Sequence, residues 1–279
     1  MGFLYQGEVI ASRQNRRVVD LCKLEDRKAR QAQNRFRFDG IKLFCEAVER
    51  EVPLVCIFLK QGSASKVEAR FEELTGRPAD TVTCPAYLLS DELFDKISQE
   101  NAPEGVICVA EYIDRFHKMY IIKKEDEIDL PMGPVLLLES VRDPLNVGAI
   151  IRSAAALGIR HLVISDDCAD LYHPKALRAA MGPLFSMPIT RVNDLTAAVE
   201  KITAGGRRVF AAALDDTAVR LGEMPFEKGD CVVIGNEGHG LSEELINACT
   251  RSIYIPMQAG TESLNAGVAA ALLMWELCK

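Results

Sequence analysis

The chain has 279 residues, 48% of them apolar, and a formal net charge of −7. That length exceeds one average domain and predicts two. No run of about 18 uninterrupted apolar residues reads as a membrane span, and Met1–Gln6 lacks the basic start and apolar core of a secretory signal, so a cytoplasmic enzyme is expected.

In chain order, the first notable feature is charge. Arg13 through Arg37 carries nine basic residues (Arg13, Arg16, Arg17, Lys23, Arg27, Lys28, Arg30, Arg35, Arg37) against three acids, a local +6 that leaves −13 for the remainder. Such a patch attracts a polyanion; an ordinary solvated helix face reads equally well from charge alone. Val18, Val19, Leu21, Cys22 and Leu24 suit an amphipathic helix, Ile41–Val48 another, and Leu54–Leu59 a strand. A capping box in Ser65-Lys66-Val67-Glu68 predicts a helix from Ser65 to Leu74, ending at Gly76. Thr81–Leu88 reads as a strand, Asp91–Ile97 as a helix capped by Ser90, and Val106–Val109 as a strand, so residues 1–113 form a small α/β/α sandwich. The mixed charges of Lys123–Glu127 and the Pro131-Met132-Gly133 stop mark residues 114–133 as a linker, with a short strand at Met119–Ile122.

From 134 to 279 a second α/β alternation follows, with strands near 135–139, 161–164, 187–190, 208–213, 231–234 and 252–256. The closing segment Ser263–Cys278 is apolar almost all round, so it needs burial on every side, part of it against a second subunit. The nine cysteines are odd in number, lack a C-x-x-C pair and mostly sit in apolar runs, as Cys56, Cys108 and Cys231 do. They read as reduced, packed thiols, against a disulfide framework or a zinc site. With four scattered histidines, no metal is expected.

Three clusters of small and polar residues each follow an apolar strand: Asn146–Ser153 after Val135–Leu138, Gly235–Ser242 after Cys231–Ile234, and Ser263–Val268 after Ile253–Pro256. Polar groups at strand carboxyl ends are where open α/β sheets hold ligands. Asn146 suits a helix N-cap behind Pro144, with Val147, Ile150, Ile151 and Ala154 as the inward stripe and Arg152 off it. Taken singly, Arg152 also reads as a surface arginine, Gly235–Gly240 as a tight turn before the cap Ser242, and Ser263 and Asn265 as caps. The glycine order G-x-x-G-x-G departs from the dinucleotide fingerprint, which argues against a nucleotide-dependent enzyme of Rossmann type.

Together, Asn146-x-Gly148-Ala149-x-x-Arg152, Gly235-x-Glu237-Gly238-x-Gly240-Leu241 and Ile255-Pro256-Met257 with Ser263-Leu264-Asn265 resemble, in order and spacing, the three motifs of the SpoU/TrmH branch of the SPOUT RNA 2′-O-ribose methyltransferases. His173–Gly182 is similar to that family's intermediate segment. Asn15-x-x-Val18, Lys23-Leu24-x-x-Arg27-Lys28-x-Arg30 and Phe38-Asp39-Gly40 resemble the L30e-like substrate-binding domain of many members. Asp39, Ala180 and Ala266-Gly267 depart from the residues most frequent there.

The resemblance implies an N-terminal L30e-like α/β/α sandwich (1–113) and a C-terminal SPOUT parallel-sheet domain (134–279) with a deep trefoil knot and a homodimer packed through it. It implies methyl transfer from S-adenosylmethionine to a ribose 2′-hydroxyl of structured RNA, ribosomal rather than transfer RNA by analogy with two-domain members. A transfer-RNA enzyme and a catalytically silent RNA-binding protein are the alternatives. The cofactor would lie on Ala213, Leu214, Asp215, Gly235, Asn236, Gly238, Ile255, Met257 and Leu264. Asn146, Arg152, Glu237, Ser263 and Asn265 would carry the chemistry, and Arg13, Arg16, Lys23, Arg27, Lys28, Arg30 and Arg178 would meet RNA. The family's arginine is usually taken as the base. A guanidinium carries no acceptor and has a pKa above about 12, so Arg152 as oxyanion stabiliser and phosphate grip and Arg152 as base both stay open.

Overall fold

The computed structural model describes residues 2–113, 119–120, 130–216, 218–258, 260 and 263–279. The chain forms two compact units, one of Met1–Ile113 with Tyr172–Ser186, the other of Asp114–Leu171 with Met187–Lys279. Most of the expected linker, residues 114–118 and 121–129, lies outside the described residues.

In the first unit the basic segment folds as two short helices. Helix α1 (Arg16–Lys23) is capped by the Asn15 side chain, which accepts from the Arg17 amide, and α2 (Arg27–Gln33) by Asp26, which accepts from the Ala29 amide. Then come β1 (Arg35–Asp39), α3 (Ile41–Glu49), β2 (Leu54–Lys60), α4 (Ala64–Thr75), β3 (Ala86–Leu89), α5 (Asp91–Ile97) and β4 (Val106–Glu111). The sheet order is β1-β4-β2-β3; β2 and β3 pair in parallel and the other pairs are antiparallel. Val18, Leu21, Leu93, Phe94 and Ile97 pack on Phe58, Leu89, Ile107 and Val109 to form one core.

Two local expectations change, and one strand forms that no apolar run announces. The capping box does not start α4: the helix begins at Ala64 after a 3₁₀ turn, and Glu68 instead accepts from the Phe3 amide (3.0 Å) and the Tyr5 hydroxyl (2.7 Å). The strand expected from Thr81 shrinks to Ala86–Leu89, because residues 79–81 form a 3₁₀ turn and Pro85, which has no N–H, precedes the strand. Strand β1 carries no apolar-run signal, since it buries charge. Arg37 donates to Asp39 (2.9 and 3.2 Å) and to the Ile97 carbonyl, and Asp39 accepts from the Ser98 hydroxyl and Gln99 amide. Burying a guanidinium is tolerable only when it is paired in this way.

The second unit holds β5 (Met119–Tyr120), β6 (Val135–Leu138), α6 (Pro144–Leu157) and β7 (His161–Ser165). The short helices α7 (Pro174–Ala180) and α8 (Pro183–Ser186) belong to the first unit. Then come β8 (Ile189–Val192), α9 (Leu195–Ala204), β9 (Val209–Ala212), β10 (Val219–Arg220), β11 (Cys231–Ile234), α10 (Glu243–Ala248), β12 (Arg251–Tyr254) and α11 (Ala266–Leu277). Among the described residues its strands run in the order β10-β12-β9-β11-β6-β7-β8-β5, every pair parallel. All of β6 and β11 is buried, as continuous apolar runs in a parallel sheet require. Helix α9 lays Leu195, Ala198, Val199 and Ile202 on one sheet face; α11 packs against α6 and β11. Burial pushes the thiols up, Cys56 and Cys249 to about 12. Among the described residues no helix is long and apolar enough to cross a membrane.

Candidate active site

Helix α6 starts one turn earlier than its sequence suggests. Its cap is Asp143, whose carboxylate accepts from the Leu145 amide, and Pro144 takes the first helical position, where its missing N–H costs nothing. Asn146 is therefore not a cap but an interior residue, 7% exposed, with its amide free for long-range contacts. It donates to Glu237 Oε1 (2.8 Å) and accepts from Asn265 Nδ2 (2.9 Å).

The direction of this chain follows from a helix end. Asn265 Oδ1 accepts from the Gly267 and Val268 amides at the start of α11, so its Nδ2 must be the outward donor. That makes Asn146 Oδ1 an acceptor and Asn146 Nδ2 a donor. The third member must accept, and Glu237 supplies a carboxylate. Backbone donors of α11 thus orient two amides and a carboxylate from three separate strand ends.

Glu237 rides on the loop after β11. A Cβ on Gly235 would lie 2.3 Å from the Gly240 carbonyl carbon and 2.5 Å from the Leu241 nitrogen, so only glycine lets the loop close. Asn236 and Gly240 then exchange two backbone hydrogen bonds of 2.9 Å. The Asn236 side chain staples this turn: it accepts from the Gly238 and His239 amides and donates to the Ser140 carbonyl (2.8 Å). Ser140 has a left-handed φ of 53°, a position that needs outside support in a non-glycine residue. Asp167 provides it, accepting from the Ser140 and Ser165 hydroxyls and from Arg142. Burial pushes that carboxyl up, but these hydrogen bonds and the Arg142 charge prevail and hold it below the usual carboxylate range. At the far end of the loop Ser242 caps α10 and bonds Glu139, the residue after β6.

A cavity of about 410 Å³ opens beside this loop at the carboxyl ends of β9, β11 and β12, within the usual range for small-molecule sites, about 300–1,000 Å³. Ala213, Leu214, Gly235, Asn236, Gly238, Ile255, Met257 and Leu264 all line it, as do Glu237 and Ser263. Glu237 is the only charged side chain in that lining among the described residues. Leu214 is 79% exposed and Met257 42%, large apolar surfaces left bare at a cavity lip. Asp215 is not in the lining; its carboxylate accepts from the buried Ser252 hydroxyl, which ties down the loop after β9. Tyr254, Ala266, Ala269 and Leu273 line the cavity without having been expected to. The last three share one face of α11, a spacing visible in the sequence, but a helix apolar all round does not reveal which face meets a ligand. Arg152 is exposed on α6 and stands outside the Asn265–Asn146–Glu237 chain.

In the first unit, Arg13, Arg16, Lys23, Arg27 and Lys28 are exposed. Lys23 pairs with Asp20 at 3.1 Å. Arg30 is corrected: it is 1% exposed and donates to the Leu24 and Glu25 carbonyls, joining the two helices instead of facing a ligand. Arg178 is exposed and donates to the Gln99 carbonyl (3.2 Å).

The close approach at Gly235 makes one prediction direct. Gly235→Ala opens the loop, because overpacking against backbone costs about 1–3 kcal/mol. Affinity for S-adenosylmethionine, the cofactor that the motif resemblance implies, should fall at least about tenfold by titration calorimetry, equivalent to about 1.4 kcal/mol. Unchanged affinity would show that the loop does not form the cofactor site.

This architecture matches known proteins along nearly its whole length. The SpoU rRNA Methylase family profile matches residues 133–275, and that of the MRM3-like substrate binding domain matches residues 15–108. The chain belongs to the SpoU rRNA methylase family. It is 31% identical to the 23S rRNA (guanosine(2553)-2′-O)-methyltransferase RlmP of Bacillus subtilis, over 96% of this chain and 98% of that one. It is also 31% identical to the 23S rRNA (uridine(2479)-2′-O)-methyltransferase of Streptomyces viridochromogenes, over 70% and 68%. Among solved structures it resembles the SpoU methyltransferase AviRb of Streptomyces viridochromogenes in complex with AdoMet, with a TM-score of 0.77, 28% identity and coverage of 95% and 97%.

Proposed function

We propose that this protein transfers a methyl group from S-adenosylmethionine to a ribose 2′-hydroxyl of ribosomal RNA. The observation that carries the reading is the Asn265–Asn146–Glu237 chain beside a mostly apolar, glycine-walled cavity. The lining fits the cofactor: Leu214, Ile255, Met257 and Leu264 can cover a flat base, and backbone groups around Gly235 and Gly238 can meet its polar edges. When bound, S-adenosylmethionine supplies a methyl group made electrophilic by its sulfonium.

The protein's own residues then have to position a weak nucleophile. Asn146 and Glu237 would hold the ribose, with Glu237 fixed through Asn146, and Ser263 and Asn265 would shape the approach. Arg152 would grip the adjacent phosphate and stabilise the forming alkoxide while the hydroxyl proton leaves to phosphate or water, or it would accept the proton itself. Both relatives named by sequence act on 23S rRNA, which supports a ribosomal over a transfer-RNA substrate. The test is transfer of labelled methyl to total RNA in cells with and without the protein, with ribose methylation mapped by position. Loss of no ribosomal ribose methyl in the deleted strain would overturn the ribosomal assignment.

The reading includes a homodimer, a knotted C-terminal segment and a cytoplasmic location. Helix α11 leaves Val268, Leu272 and Trp275 exposed on one stripe, Trp275 at 59%, and a second copy would cover it. Trp275→Glu should then turn a dimer into a monomer in sedimentation; an unchanged sedimentation coefficient would refute that interface. On the RNA side, reversing Arg27 and Lys28 to Glu should weaken RNA binding and lower its salt slope by about 1 per lost phosphate contact. Cofactor affinity should not change. Arg30 is excluded from that variant because its burial makes it structural.

A further inference from the structure

We propose that a cleft on the first unit, bounded by Arg17, Arg35 and Tyr87, receives an unpaired base of the RNA, a site that rests on RNA being the substrate. The cleft measures about 210 Å³ and has an apolar floor that includes Leu21, Phe58 and Val109. It lies where α1 covers the sheet incompletely, so that Val55, Cys56 and Tyr87 remain only half-buried. The Arg17 guanidinium carbon sits 4.6 Å from the centroid of the Tyr87 ring, and Phe58 supports that ring at 5.5 Å. A guanidinium already stacked on an aromatic ring can continue the stack with a further planar group.

Charge selects the occupant. Arg16 and Lys23 lie near Asp20, Arg37 is paired with Asp39, and Arg30 is spent on carbonyls. Arg17 and Arg35 have no carboxylate partner among the described residues, yet both line this cleft. Asp20 and Gln33 also line the cleft, but Asp20 is engaged by Arg16 and Lys23, so two guanidinium groups without a carboxylate bond stand over the apolar floor and fit a planar ring carrying a phosphate, which is a nucleotide. A simple carboxylate would leave the floor and the stack unused. A second hollow of about 500 Å³, walled by the segment from Gln6 to Ser12, meets the first at the same Arg17 and Tyr87. The stacked pair therefore stands between two depressions, as a path for consecutive nucleotides of a single strand requires. A duplex keeps its bases inside and cannot use the cleft, whereas loops and bulges expose bases that stack on aromatic rings and guanidinium planes.

The test uses the full chain, a ten-nucleotide unstructured RNA and a duplex of equal length, with binding read by fluorescence anisotropy at one salt concentration. Arg17→Gln with Arg35→Gln should cost at least about tenfold on the single strand and less than about threefold on the duplex. Tyr87→Leu, which keeps an apolar side chain over Phe58 but removes the ring, should show the same selectivity. A 4-thiouridine in the single strand should crosslink to the segment containing Tyr87. Equal losses on both RNAs would show contact with phosphates only and overturn the cleft, as would unchanged binding in the arginine variant, whose exposed or half-exposed sites do not threaten folding. The outcomes separate: if ribosomal RNA is methylated normally and the variants bind the single strand normally, the cleft fails while the activity stands. Absence of methyl transfer by the unaltered chain removes the activity instead.

Discussion

Asn146→Asp is expected to lose at least about 100-fold in single-turnover methyl transfer at neutral pH, the scale on which small misplacements of reacting groups act. The replacement is nearly isosteric, so the loss tests hydrogen-bond direction and not volume. Aspartate can still accept from Asn265 Nδ2, but it cannot donate to Glu237 Oε1, which lies 2.8 Å from the Asn146 nitrogen. Two carboxylates would then face each other. Like charges this close favour the protonated form of the pair, so one shared proton restores a donor as the pH falls. Part of the activity should return in mild acid, opposite in sign to a loss of folding, while cofactor affinity at neutral pH changes little. Asn146→Ala is the control: it removes both bonds and should show no acid recovery. Near-normal turnover by Asn146→Asp at neutral pH would mean that the polarity of the chain is irrelevant to the chemistry, and a defect that does not ease in acid would remove the shared-proton account.

Arg152→Ala should cost about 10²–10³ in the same step, the range for removing one group that meets a developing oxyanion. Arg152→Lys separates the two roles left open by the sequence. Lysine keeps a point charge but not the planar fork, so a bidentate grip on phosphate leaves the lysine variant nearly as impaired as the alanine one. Near-normal turnover by Arg152→Lys would rule out any need for the fork. The pH profile adds a sign: a neutral arginine acting as base makes the rate climb with pH, whereas a cationic stabiliser leaves it flat until the arginine itself titrates. The exposed position of Arg152, clear of the Asn146 network, means that neither substitution disturbs the Asn265–Asn146–Glu237 bonds.

Much of the second unit was legible because its signals are local. The apolar runs Val135–Leu138 and Cys231–Ile234 are strands, and the glycines at 235, 238 and 240 mark a turn that brings backbone close to backbone. Asp143 and Asn146 are equally good capping residues, and Pro144, which suits the first helical position, decides for Asp143. Strand β1 carries no apolar run because buried Phe36 and Phe38 alternate with Arg37 and Asp39, which are buried too, and no hydrophobic pattern marks an ion pair that satisfies itself inside a core. Arg30 illustrates the converse: within a run of basic residues nothing in the spacing distinguishes the arginine that turns inward to two carbonyls from its exposed neighbours.

Residue order alone carries the strand runs, the glycine turns, the polar residues that gather at strand carboxyl ends and, through their succession, the family. These depend on hydrogen bonds and hydrophobic periods within a few residues, which spacing records. How the polar groups connect emerges on folding: Asn146 joins Glu237, 91 positions away, and Asn265, 119 positions away. Distance in space likewise sets Asp215, outside the cavity lining, to brace the loop after β9, and the Asn236 side chain to staple its own turn at the cavity wall. The physical reason is that a buried amide must satisfy both of its ends, and which partners are within 3 Å depends on how distant segments close in space.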